Sequence, residues 1–102
     1  VVVPIAWREA VERWAAIEST LLQPVYDLID EDDVCVAWVE PCRTNTKLAD
    51  VPVRARSPAM AHLRTMGLTE HEANEVAVAW SDGELTLVLG EVLRALRIPA
   101  EG

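Results

Sequence analysis

The sequence predicts an α+β fold: a long N-terminal helix packed on a small, mainly antiparallel sheet, with short helices toward the C-terminus. Three observations carry that expectation. Trp7, Ala10, Val11, Trp14, Ile17 and Leu21 recur at three- and four-residue steps, the period of an amphipathic helix. Val34–Val39 reads V-C-V-A-W-V, the β-branched, aromatic-bearing profile of a largely buried strand. Val76, Val78 and Trp80 alternate with period two, as do Leu85, Leu87 and Leu89. Ser81-Asp82-Gly83 joins those runs, with Gly in the slot where a three-residue hairpin needs positive φ. Read instead with period 3.6, the same stretch gives a mostly α protein with a helix-turn-helix-like C-terminal half.

Taken in order, the elements are as follows. Pro4 suits a first helical turn, and the helix runs over about Ile5–Leu22, with Glu9 and Arg13 paired on its wet side. Pro24 ends it and opens a second short helix with Val25, Leu28 and Ile29 on its apolar side. The acidic run Asp30–Asp33 separates helix from strand, and the first strand covers about Asp33–Val39. Val51, Val53 and Ala55 alternate with Pro52, Arg54 and Arg56, which predicts an edge strand over Val51–Arg56, since Pro52 has no N–H for a ladder. Ser57-Pro58 starts a helix over Pro58–Met66, closed by Gly67. Thr69 and Glu72 form a capping box for a helix from Glu70. Strands over Glu75–Trp80 and Glu84–Leu89 and a helix over Glu91–Ile98, stopped by Pro99, complete the chain. Val34–Trp38 echoes Val76–Trp80, which favours the strand reading of both.

A chain of 102 residues, residues 1–102, is read as one domain able to bury a modest core. No apolar run is long enough to span a membrane. Val1–Ile5 is too short, and lacks the basic flank, for a signal peptide, so a cytoplasmic location is the expectation. Net charge is −8, which argues against general nucleic-acid binding. Between Pro41 and Met66, however, Arg43, Lys47, Arg54, Arg56 and Arg64 face one acid, Asp50. Those five cations are the candidate polar contacts.

Candidate chemistry is sparse. Cys35 reads as a small core residue and Cys42 as a loop residue, with a bridge between them left open. The C-x6-C and H-x8-H spacings of Cys35, Cys42, His62 and His71 match no standard zinc pattern, and no metal or cofactor is called for. No nucleotide-binding or hydrolase motif is present, which leans away from an enzyme. Leu68-Thr69-Glu70-His71-Glu72-Ala73 resembles the opening of a LuxR-type helix-turn-helix over those six residues. The reading helix implied by that resemblance, Glu84–Arg97, offers no Arg, Lys, Asn or Gln to a base edge in its first two turns.

The composition stands out in its four Trp with no Phe. The expected function is a non-enzymatic protein-interaction or regulatory/assembly subunit, self-associating as a homodimer or forming part of a larger assembly. Its contact is placed on the stripe Trp7, Val11, Trp14 and Leu21. The alternatives are a small-molecule-binding domain or small enzyme with a pocket between the first helix and the sheet, drawing on His62, His71, Cys42 or Asp30–Asp33, and a nucleic-acid module using the basic segment 41–66.

Overall fold

Two β-hairpins, each extended by a third strand, set the architecture. The computed structural model describes residues 1–17 and 19–97. In chain order these form β1 (Val2–Pro4), a 3-10 turn (Ile5–Trp7), α1 (Arg8–Ala16), β2 (Val25–Glu31), β3 (Val34–Val39), β4 (Thr46–Lys47) and a second 3-10 turn (Leu48–Asp50). There follow α2 (Val53–Thr65), α3 (Glu70–Asn74), β5 (Ala77–Ser81), β6 (Glu84–Leu87) and α4 (Leu89–Ala95). The first sheet has the order β1-β3-β2 and the second β4-β5-β6, with every ladder antiparallel. The molecule is therefore α+β, with its first helix packed on a sheet. Of the two echoed segments, Val34–Trp38 lies in β3 and all of Val76–Trp80 but its first residue lies in β5, each the central strand of its sheet. The predicted single sheet is two.

The second hairpin pairs Val78 with Leu87 and Trp80 with Leu85. Its turn is tighter than predicted. Ser81 pairs with Glu84, leaving two loop residues, Asp82 (φ 53°) and Gly83 (φ 78°). Both are left-handed, the requirement of the type I′ turn whose twist matches the strands. Because Glu84–Leu87 is strand, the helix-turn-helix alternative does not form. The strand stops at Leu87, and α4 begins at Leu89 and turns Leu89, Val92 and Leu93 into the core. The predicted helix end at Ile98 and the Pro99 stop lie outside the described residues.

Four predicted elements are corrected. Val25–Glu31 is a strand and not a short helix, because β3 lies antiparallel beside it along its length. Val51–Arg56 is not a strand. The helix starts at Val53 with Pro52 before it, and the i, i+4 series Ala55, Ala59 and Leu63 carries its inner side. Pro58 lies inside this helix rather than at its start, where Ser57 Oγ donates to Val53 O at 2.9 Å. The first helix ends at Ala16, short of Leu22. Ile17 is extended, and the segment beyond it pairs with β6: Leu87 N–H donates to Leu21 O at 2.7 Å, and Gln23 N–H donates to Leu87 O at 2.9 Å.

Local caps match their chemistry. Gly67 (φ 105°) closes α2 in a Schellman motif: Leu68 N–H reaches Leu63 O, Gly67 N–H reaches Arg64 O, and the side chains of Leu63 and Leu68 are both buried. At α3 both halves of the capping box are made, Glu72 N–H to Thr69 Oγ1 and Thr69 N–H to Glu72 Oε1. These bonds hold the Glu72 carboxyl below its usual pKa. A carboxylate depressed in the fold stabilises above its unfolded pKa, and that contribution is lost as pH falls through the folded value. Thr69→Ala is expected to cost about 1 kcal/mol near neutral pH. Because the larger cause of that shift, the Thr69 backbone N–H, is retained in the variant, both proteins should lose the Glu72 contribution in acid, as measured by urea unfolding across pH.

One contiguous set of buried side chains runs through both sheets, from Val3, Val11, Cys35 and Ala37 to Leu63, Val78, Leu87 and Leu93. No described helix is long and apolar enough to cross a membrane.

Candidate functional site

The joint between the two sheets is built on one polar residue that the sequence did not flag. Gln23 is buried, the only polar side chain among the described residues that is. Each of its hydrogen-bonding groups has a partner. Its N–H donates to Leu87 O, and its C=O accepts from Trp14 Nε1 at 2.9 Å. Its Nε2 donates to Glu40 O, beyond β3, and its Oε1 accepts from Leu89 N–H at 3.1 Å at the start of α4. Gln23 thus ties α1, the end of the first hairpin, β6 and α4 together. Asn45 does similar work at the surface: its carboxamide accepts from Trp80 N–H and donates to Trp80 O, standing in for a strand partner of β5.

The first sheet has two unlike faces. Cys35, Ala37 and Val3 point into the core toward α1, whose Arg8 reaches Asp30 Oδ1 at 2.7 Å on that same side. Desolvation there, with Asp30 alongside, pushes the Cys35 thiol pKa up. The opposite face carries Val2, Val36 and Ile29 in one cross-strand row, Pro4 and Val34 in the next, and Trp38 beyond them. Trp38 is 59 % exposed, and Val2, Pro4, Val34 and Val36 are half-buried, with α1 lying on the other side of the sheet. Tyr26, at a bulge in β2, is 68 % exposed at the margin. Asp27 and Glu31 are the acids of this face. The run Val34–Val39 therefore does not lie buried on both sides.

The predicted contact stripe goes elsewhere. Val11 and Trp14 are 0 % and 2 % exposed, because a helix packed on a sheet turns its heptad stripe inward. They are core, which corrects the expected interface at those two positions. Leu21 is half-buried beside β6, and Trp7 remains 44 % exposed.

A cavity of about 350 Å³ lies between α1 and the C-terminal half of α2. Trp7, Trp14, Ile17, Met66 and Leu96 form its apolar walls, and Arg13, His62 and Thr65 its polar part. It is a helix–helix cavity, not the predicted helix–sheet pocket. His62 Nε2 is enclosed and has no hydrogen-bond partner, with the Trp14 ring edge-on at 6.1 Å. Burial lowers the His62 pKa, so the imidazole is neutral near pH 7. His71 is exposed on α3, outside this cavity.

The five basic candidates do not converge. Lys47 pairs with Glu75 at 3.0 Å, and Arg56 donates to Ala49 O at 2.8 Å. Arg54 and Arg56 are two apart on α2, about 200° around its axis. Arg43 and Arg64 are exposed. Both thiols, Cys35 and Cys42, are free. Among the described residues no group of three or more His, Cys, Asp or Glu is placed to hold a metal ion. Comparison with protein-family models, with curated proteins and with solved structures found no match.

Proposed function

We propose that this chain is a non-enzymatic interaction protein that self-associates through the outer face of its first sheet. The observation behind it is that face itself: Val2, Ile29, Val36 and Trp38 form an apolar surface facing away from the core. Trp38, with Asp27 opposite it and Val36 and Ile29 in the next row, is of a residue type enriched at interface centres. A second copy is a fitting occupant. Two identically twisted sheets pack face to face at about −30°, and an isologous contact needs only self-complementarity. The acids Asp27 and Glu31, both on the edge strand β2, would then lie along one side of the contact.

The test is the size of Trp38→Glu combined with Ile29→Glu, compared with the parent by sedimentation. The parent is expected to be dimeric where the variant is monomeric, with unchanged far-UV circular dichroism. Because each chain carries −8, association of the parent should strengthen as salt rises toward physiological levels, where the screening length is about 8 Å. Equal sizes for parent and variant at every concentration refute the proposal.

A further inference from the structure

We infer that the cavity between α1 and α2 binds a small aromatic carboxylate. None of its lining residues belongs to the first sheet, so the inference is independent of self-association. Its volume of about 350 Å³ lies at the low end for small-molecule sites, suited to one fused ring system and too small for a dinucleotide. The walls favour a flat aromatic ring. The Trp14 N–H is committed to Gln23 O, so this indole offers only ring surface to the cavity, and Trp7 stands at the mouth. Aromatic rings gain from edge-to-face and offset contacts with such indoles.

The polar groups specify the charge. Arg13 is the one charged side chain in the lining. Its only described partner is Glu9, and both side chains are about three-quarters exposed, 75 % and 77 %. Such a pair contributes little and gives way readily to a carboxylate, which a guanidinium can hold with two parallel hydrogen bonds. Arg13 also argues against an organic cation, which the two indoles would otherwise suit. His62, also in the lining, supplies the second polar group: its enclosed Nε2 has no partner in the fold, and in the tautomer that carries the proton there the neutral ring is a donor left for a ligand oxygen.

The test uses 2-naphthoate, 2-naphthylmethanol and 2-naphthylmethylamine as probes on the full chain. Calorimetry gives affinity, and proton–nitrogen correlation spectra locate the site. Saturable shifts are expected at the Trp7 and Trp14 indole N–H and at the Thr65 amide. The acid should bind about tenfold more tightly than the alcohol, the gain of one charge-assisted contact, and the amine most weakly. Arg13→Gln should erase the preference for the acid while leaving alcohol binding in place. Ala10→Phe should block all three probes, and Arg13→Gln, an exposed change, keeps the test decisive if that variant misfolds. Absence of shifts at millimolar naphthoate overturns the inference. So do equal affinities for acid and alcohol, an acid preference that survives Arg13→Gln, or shifts confined to the first sheet.

Discussion

Gln23→Leu is expected to destabilise the fold by about 2–4 kcal/mol, although it replaces a polar side chain with an apolar one of similar size in the core. Burying Leu instead of Gln would ordinarily help. Here it leaves the buried Leu89 N–H and the part-buried Glu40 carbonyl unmet. Each unsatisfied group costs about 1–3 kcal/mol, which outweighs the gain in apolar burial. For a domain whose total stability is about 5–15 kcal/mol, this is a large loss. Gln23→Glu separates hydrogen bonding from packing. A neutral carboxyl keeps one donor and one acceptor, whereas the carboxylate can only accept and faces the Glu40 oxygen. The buried carboxyl has a folded pKa raised above its unfolded value of about 4.3. Its stability is present below that unfolded value and lost as pH rises through the folded one. Urea midpoints should therefore bring Gln23→Glu close to the parent in acid and well below it near neutral pH. Parallel curves for the two proteins would show that the joint does not depend on those bonds.

Trp14→Ala should cost about 3–5 kcal/mol, the range for emptying a large buried aromatic site. It removes a 2 % exposed indole from the core and the donor to Gln23 O. The loss should appear as a lowered unfolding midpoint, with no dissociation at concentrations where the variant is folded. Combined with Gln23→Leu the costs should fall short of the sum, since both act on one junction. A variant that stays fully stable but becomes monomeric would return Trp14 to the contact stripe read from the sequence.

The contrast between Trp14 and Trp38 explains what could be read from the sequence and what could not. Local rules held where the signal is local. Thr69 and Glu72 meet as a capping box because both partners lie within one turn. Asp82-Gly83 marks the second hairpin because only left-handed residues fit its turn, although the loop is one residue shorter than read. Val25–Glu31 escaped because its strand character comes from β3. Val51–Arg56 escaped because a short alternating run beside Pro52 fits two periods, and the core on one side of α2 chose the helical one. Periodicity placed Val11 and Trp14 on one face but could not say that the face turns inward. The same blindness hid the open side of β3: V-C-V-A-W-V looks alike whether one face is covered or both. Gln23 carried no signal at all, since its role exists only where α1, β6, α4 and the end of the first hairpin converge.

The most direct test of self-association through the first sheet is hydroxyl-radical footprinting of the tryptophans over a range of protein concentrations. Trp38 and Trp7 are both exposed in the single chain, at 59 % and 44 %, and report different surfaces. Protection of Trp38, joined by Tyr26 at the margin, should rise with concentration while Trp7 oxidises at a constant rate. Constant reactivity of Trp38 at concentrations where the protein is dimeric, or protection of Trp7 in its place, would contradict the assignment of the interface to this sheet.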